Sequence, residues 1–584
     1  MKRLLLYVYF NKYQSLSSHV LYQLEKMRPL FSHLVFISNS PMSARDQEYL
    51  QTHHLIDDFL QRENIGFDFA AWRDGMVHIG FSTLAEYDSV TLMNDTCFGP
   101  LWDMASIYQQ FERDPETDFW GMTNFRKTAD FKEHLQSYYL SFSKEVVTSK
   151  AFQDFWTGVQ NYTAVQDVID RYETQVTTSL TDAGFSYKAV FDTVEVDTSG
   201  MLHPDFSYYN PTAILKNRVP FIKVKAIDAN QHIIPYILNQ LELESSYPVA
   251  LIVSHMSNIN YPDFKYLLGR KYLQEAHADL TGKKIAVHLH VFYVDLLQEF
   301  LDAFQGFGFA YDLFITTDSE TKRPEIDVIL ANNEQSAAIF VTGNIGRDVL
   351  PMLKLKEQLK DYDFVGHFHT KKSKEADFWA GESWRKELIA MLVRPAHSIL
   401  SNLTKQADLG LVIADIPTFF RYNKIVEAYN EHQIAPAMND LWQKMGMQKA
   451  IDFGALHTFV MSYGTYIWFK YDALKPLFDL ELTDADVPAE PLPQNSILHA
   501  IERLLVYIAW NCQYDFRIAP NPVALTPFID NKLLNERGDA LPHTYVNFDH
   551  LGGIKGAAKY IIIGPLRAIK YIIERCLKKI KAKK

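Results

Sequence analysis

The string Asn-Ile-Gly-x-Asp occurs twice, in ENIGFDFAAW (63–72) and again 280 positions later in GNIGRDVLPM (343–352). No low-complexity bias produces such a coincidence, and the surroundings of the two copies follow one order. In the first half an apolar run RLLLYVYF (3–10) precedes a helical pattern from about Ser15 to Arg28, then HLVFIS (33–38) and a polar helix near 43–52. The string follows, with a short helix from Phe69 and the β-rich run SVTLMN (89–94). The second half runs IAVHLHVF (285–292), helix near 294–305, YDLFITT (311–317), helix near 325–332, AAIFVT (337–342), the string, a helix from about Val349, and DFVGHFHT (363–370). Strands alternating with helices of about ten residues predict parallel sheets with helices on both faces.

In such sheets ligands bind in the crevice beyond the carboxyl ends of the strands, where both strings fall. Gly66 and Gly346 are free to take positive φ and admit a ligand close to the backbone. Asn64, Asp68, Asn344, Arg347 and Asp348 share these loops. The two aspartates are placed either to cap the next helix or to accept hydrogen bonds from a sugar or base.

The following strands end differently. MNDTCFGPLW (93–102) puts Asp95 at a strand end, where one carboxylate with a donor diphosphate could hold Mg²⁺ or Mn²⁺. HFHTKKS (367–373) offers His367, His369, Lys371 and Lys372; no third ligand accompanies the His-x-His pair, so in place of a metal site His369 is a donor-binding candidate, with Thr370, Lys371 and Lys372 either neutralising a departing diphosphate or forming a solvated end to the strand.

At 584 residues the chain exceeds one core, and 47% apolar with 22% charged residues indicate a folded protein. Cys97, Cys512 and Cys576 form neither a disulfide framework nor a zinc pattern, which fits a reducing compartment. The basic start and short apolar run at the N-terminus read as a first strand, so neither secretion nor a membrane span is expected. Residues 555–584 carry ten Lys or Arg and one acid, a charge of +9 that leaves −21 on the rest; the acidic body argues against nucleic acid.

NIGRD, YDFVGHFHTKKS, WRKELIAML (384–392), ILHAIERLL (497–505) and HLQSYYLSFSK (134–144) together resemble the rhamnan synthesis protein F family of bacterial rhamnose polysaccharide pathways. The resemblance implies a glycosyltransferase at the cytoplasmic face of the cell membrane that uses dTDP-L-rhamnose to extend a lipid-linked rhamnan. It implies two tandem GT-A-like α/β domains, about 1–270 and 280–545, joined near ADLTGKK (278–284). A β-linked donor giving an α-linked product requires inversion, so a carboxylate must deprotonate the acceptor hydroxyl. Glu173, in RYETQVTTSL (171–180), and Glu490, in a Pro-rich loop before a helix, are the candidates, while Glu502 suits a salt bridge or solvated face. Tyr138, Tyr139, Trp156, Tyr463, Tyr466 and Trp468 are available for a sugar platform or for the core. One half could serve only as scaffold, a degenerate pair could act as a glycan-binding or assembly module, and another nucleotide-sugar donor is a further alternative. Finally, Leu566, Ile569, Ile573, Cys576, Leu577 and Ile580 recur at helical spacing among basic residues after Gly564-Pro565, which predicts a helix lying on an anionic membrane surface.

Overall fold

The computed structural model describes residues 1–581 apart from 13, 130, 202, 263, 265, 371, 373–378, 423–427, 457–458, 491, 494 and 524–552. Met1–Ala524 is one compact unit, and Leu525–Lys584 is a second.

The first sheet contains β1 (Arg3–Tyr9), β2 (His33–Ser38), β3 (Asp58–Gln61), β4 (Ser89–Asn94), β5 (Phe119–Phe125), β6 (Tyr139–Ser143) and β7 (Tyr187–Phe191). Their spatial order is 3-2-1-4-6-5-7, with the two-residue strand His134–Leu135 added on β5. The second sheet contains β8 (Ile285–Val291), β9 (Asp312–Thr317), β10 (Ala338–Val341), β11 (Phe364–His369), β12 (Leu409–Ala414), β13 (Ile467–Phe469) and β14 (Asp515–Ala519). Its order is 10-9-8-11-13-12-14, the first order with seven added to each number. The repeated string therefore marks a repeated sheet.

The expectation of purely parallel sheets is corrected. β6 runs antiparallel to β4 and β5, and β13 runs antiparallel to β11 and β12. The part 3-2-1-4 of each sheet is parallel and built from strand-helix alternation, where the chain supplies the crossovers that parallel pairs require; the outer pairs, β5 with β7 and β12 with β14, are parallel as well. The antiparallel insertion brings the start of β6 beside the end of β4, where Asn94 N–H meets the Tyr138 carbonyl at 3.4 Å.

Side chains alternate across β1, so that Leu5, Tyr7 and Tyr9 enter one core while Leu4, Leu6 and Val8 enter another with Phe69, Trp72 and Trp156. In β8 the odd positions Val287, Leu289 and Val291 likewise pack in a core with Phe300 and Phe304. The even positions after Ala286 are histidines, and both are buried.

The segment expected to join the halves is tied to the second. Ala276 and Ala278 N–H groups donate to Ser398 and Ser401 Oγ at 3.0 and 2.9 Å, and Lys271, fully buried, pairs with Asp515 of β14 at 2.6 Å. Residue 545, the expected end of the second half, lies outside the described residues.

The second unit is described through one helix, Gly553–Lys581. Pro565 lies inside it rather than before it, which deletes one backbone donor without ending the helix. Ile562, Leu566, Ile569 and Ile573, spaced by four, three and four, are each more than half exposed. Among the described residues no helix is long and apolar enough to cross a membrane.

Candidate active sites at the two sheet edges

The two Asn-Ile-Gly-x-Asp loops share an unusual backbone. Gly66 and Phe67 have φ of 71° and 49°, and Gly346 and Arg347 have φ of 82° and 52°: two consecutive left-handed residues in each copy. A Cβ on Gly66 would come within 2.5 Å of Ala70 Cβ, and one on Gly346 within 2.2 Å of Leu350 Cβ. The glycine is thus required twice over, by its torsion and by the helix packed against it. A non-glycine residue held left-handed immediately after it carries strain that the rest of the loop must offset.

That turn delivers each aspartate to the end of the fourth strand of its sheet. Asp68 Oδ2 accepts from Asn94 Nδ2 at 2.8 Å, at the last residue of β4. Asp95, the next strand-end residue, accepts from the Phe10 N–H at 3.1 Å. Burial pushes the Asp68 carboxyl up to about 6, helped by the charge of Glu173; burial and the Asp68 charge push Asp95 up to about 8. Glu173 sits on a π-helical turn, Ile169–Glu173, and accepts from Ser137 N and Oγ at 3.2 and 2.8 Å. Because Ser137 lies just before β6, the antiparallel insertion carries Glu173 to the Asp68 edge. Three predicted carboxylates, Asp68, Asp95 and Glu173, thus converge from three parts of the sequence. Asn64 is half-buried in the same loop, and Gly66 N–H donates to the Tyr162 carbonyl at 2.7 Å.

Among the described residues no group of three or more His, Cys, Asp or Glu is arranged to hold a metal ion. A cation at Asp95 would depend on the donor's own phosphates for its remaining ligands, and it would have to displace the proton of a carboxyl titrating near 8.

In the second sheet Asp348 is closely held. Its Oδ2 accepts from the Thr465 hydroxyl and from His367 Nε2 at 3.4 Å, with His369 Nε2 at 3.7 Å. Burial alone would raise its carboxyl, but the His369 and His367 imidazoles and the Thr465 hydroxyl hold it well below the usual carboxylate range. His369 is enclosed, its Nε2 donating to the Gly464 carbonyl at 2.6 Å. Arg347 forms a two-pronged pair with Glu490, Nε to Oε1 at 2.9 Å and Nη2 to Oε2 at 3.1 Å. Asn344, Ile345 and Gly346 line one cavity of about 310 Å³ with Val487, Pro488, Ala489, Glu490 and Leu492. Lys372 lies at the β11 end with its ammonium on Asp295 and over the Tyr293 ring. Lys371 lies outside the described residues.

Of the two roles open to the aromatics, the structure favours the core. Tyr138, Tyr139, Trp156, Tyr466 and Trp468 are at most 4% exposed and belong to the cores, because large rings stabilise most where they shed all their water. Tyr463 alone is half-exposed, against Phe420. Glu502 accepts from the Gly464 N–H and pairs with Arg503 at 3.3 Å. Sequence reasoning missed Asn94, Ser137 and Thr465, small polar residues whose role depends on pairings across the sheet.

Relatives and solved structures of similar type share limited parts of the chain. An uncharacterised protein, WxcX of Xanthomonas campestris pv. campestris, is 28% identical over 237 residues, 39% of this chain and 31% of its own. The uncharacterised y4gN of Sinorhizobium fredii is 28% identical over 171 residues, 29% of this chain and 43% of its own. The chain therefore spans less than half of either relative. Glucosyl-3-phosphoglycerate synthase of Mycobacterium tuberculosis shares 9% identity over 45% of this chain and 81% of its own, with a TM-score of 0.25. A cytidylyltransferase of Leptospira borgpetersenii shares 11% over 43% and 97%, at 0.24. The model of one family, rhamnan synthesis protein F, matches residues 34–514, which is most of the chain. With that extent of match, which takes in both strand-end loops, the chain belongs to the rhamnan synthesis protein F family.

Proposed function

We propose that this chain is a glycosyltransferase that moves L-rhamnose from dTDP-L-rhamnose to a lipid-linked rhamnan, with inversion at the transferred carbon. The family membership supports the polysaccharide setting. The observation that carries the reading is the left-handed glycine turn that sets a carboxylate at the strand ends of two sheets of identical order. Each sheet then forms one nucleotide-sugar domain, the first about 1–270 and the second from about 280.

Inversion needs a base on the acceptor side and charge relief on the diphosphate side. In the first sheet Glu173 takes the proton of the acceptor hydroxyl, oriented by Ser137, while Asp68 and Asp95 bound the donor side. Asp95 with the donor phosphates would hold a divalent cation there; when bound, it would supply charge for the departing diphosphate. In the second sheet Arg347 is drawn toward the diphosphate and releases Glu490 to act as base. His369 and Asp348 shape that donor site, and Lys371 and Lys372 add positive charge at its rim. The protein works at the inner face of the cell membrane, where the Gly553–Lys581 helix lays its isoleucine stripe among anionic lipids and holds the enzyme beside its acceptor.

The deciding experiment incubates purified protein with dTDP-L-rhamnose and a lipid-linked rhamnose acceptor, alongside a panel of other nucleotide sugars. Rhamnose transfer from the dTDP donor alone is expected. Consumption of UDP-glucose in its place would overturn the donor assignment, and absence of transfer from every donor would overturn the enzymatic reading.

A further inference from the structure

The two sheets can be superposed in register through their strand ends. Asp95 N–H donates to the Val8 carbonyl as Thr370 N–H donates to the His290 carbonyl, so His290 stands where Val8 does. Strand pairing then sets His288 against Leu6, His367 against Leu92, and Thr316 against Ile37. Four buried apolar residues of the first sheet are thus replaced in the second by three histidines and a threonine. All four are at most 3% exposed. The first sheet shows that this fold closes with hydrocarbon at these positions, and burying polar groups instead costs desolvation. Something other than folding keeps them.

They are bonded into one chain. His367 Nδ1 and His288 Nδ1 are 2.8 Å apart, with the rings stacked at 11°. His288 Nε2 and His290 Nδ1 each lie 2.9 Å from Thr316 Oγ1. Hydrogen-bond capacity fixes every proton if the chain starts at an ionised Asp348 and His367 is neutral. A carboxylate only accepts, so His367 Nε2 carries a proton and its Nδ1 is bare. His288 must then donate from Nδ1, which leaves its Nε2 to accept the one proton of the Thr316 hydroxyl. Thr316 oxygen in turn accepts from His290 Nδ1–H. His290 Nε2 is left as a buried acceptor, and among the described residues it has no hydrogen-bond partner.

We propose that His290, Thr316, His288 and His367 form a unidirectional hydrogen-bond relay that positions Asp348 as an ionised acceptor in the second donor site. His288, His290 and Thr316 are positioning residues two and more links from the ligand. The relay directs its hydrogen bond at Oδ2, where the Thr465 hydroxyl also points, and leaves Oδ1 for an O–H or N–H donor of the nucleoside. Bonds in such a chain polarise one another, so a break at a distant link weakens the last one. The inference rests on the reading of Asp348 as a donor-site residue, and the test separates the two.

The test uses the full chain labelled with ¹⁵N-histidine, examined by magic-angle-spinning NMR, with calorimetric titration of dTDP. His288 and His290 are expected as Nδ1–H tautomers and His367 as the Nε2–H tautomer, each assigned by loss of its signal in the corresponding His→Gln variant. Thr316→Val keeps the side chain's shape and removes the link; it is expected to shift these signals and to weaken dTDP binding about tenfold, the scale of one hydrogen bond to a charged group. Thr316→Ser should restore both. Nε2–H tautomers or imidazolium at His288 and His290 would overturn the relay, and in wild-type protein that outcome is readable even if Thr316→Val does not fold. Unchanged dTDP affinity in a folded Thr316→Val protein would overturn its positioning role. If Asp348→Asn binds dTDP as wild type does while the tautomers are as expected, the donor-site reading fails and the relay alone stands.

Discussion

Arg347 and Glu490, 143 residues apart in the chain, face each other through two side-by-side hydrogen bonds, and Glu490 lines the second-sheet cavity. The pair joins the left-handed turn to the loop that carries the proposed base. The Arg347 guanidinium lowers the Glu490 carboxyl, which makes it a weaker base while the pair lasts. Both side chains are about half exposed, so the pair contributes no more than about 1 kcal/mol to stability. Glu490→Gln should therefore leave the melting temperature nearly unchanged. It should lower transfer by the second site at least a hundredfold, the lower range for loss of a general base, in turnover assays with linkage analysis of the product. Full activity of Glu490→Gln would remove Glu490 from catalysis.

The raised carboxyls of Asp68 and Asp95 give a pH dependence of known sign. The folded protein holds these protons to about 6 and about 8, whereas an unfolded chain releases them near the ordinary aspartate value of 3.8. More protons bound in the folded state mean that stability falls as pH rises, between about 4 and 8. The contribution is fully present below pH 4 and lost above 8. Asp95→Asn, which removes one charge-burial cost, is expected to raise stability at pH 8 by up to about 5 kcal/mol and to flatten that slope. Denaturant titrations of both proteins from pH 5 to 8 check this; parallel slopes would show that Asp95 is ionised in the fold at neutral pH.

The same substitution in the two glycine loops compares their roles. Gly66→Ala and Gly346→Ala each force a side chain into a left-handed turn and against the next helical residue, at a cost of about 1–3 kcal/mol. Thermal unfolding should show losses of similar size. Gly346→Ala should in addition weaken dTDP binding in calorimetric titration, because Gly346 lines the open cavity with Glu490. A purely structural loop would show the stability loss with nucleotide affinity intact.

Much of this arrangement was legible before any coordinates. Strands β1, β2, β4 and β9 are buried over nearly their whole length and read as largely apolar or β-branched runs, while β8 and β11 are buried as fully although histidines interrupt them. β3, DFLQ, is four residues with polar ends and gives no such signal. The antiparallel β6 and β13 escaped because their partners are remote and their local pattern says nothing of direction. Both His-x-His pairs stand plainly in the text, but their stacking follows only from the register of β8 on β11. Likewise the convergence of Glu173 on Asp68 passes through Ser137 and the start of β6, a link of strand geometry and not of spacing. Abundant aromatics were ambiguous for a simpler reason: composition does not tell a core ring from a sugar platform.

The tail yields the last prediction. In the Gly553–Lys581 helix, Ile561, Ile562, Leu566, Ile569, Ile572 and Ile573 are all more than half exposed, and a surface of that kind left in water is costly. Ten basic residues and one acid in 555–584 make the same segment a strong cation, unlike the acidic remainder. Each basic residue near an anionic leaflet contributes about 1 kcal/mol, screened by salt, while the isoleucines gain by entering the acyl boundary. Removal of residues 553–584 should then release the protein from vesicles of phosphatidylglycerol in flotation assays, and should slow transfer to a lipid-linked acceptor with little effect on a soluble one. Raising salt should weaken binding of the full chain and leave the truncated protein where it was. Exchange of Ile562, Leu566, Ile569 and Ile573 for serine, with every charge retained, separates the two forces. Loss of most binding in that variant marks the apolar stripe as necessary, and unchanged binding marks an electrostatic tether. Equal flotation of full-length and truncated protein at low salt would rule out the tail as the membrane contact.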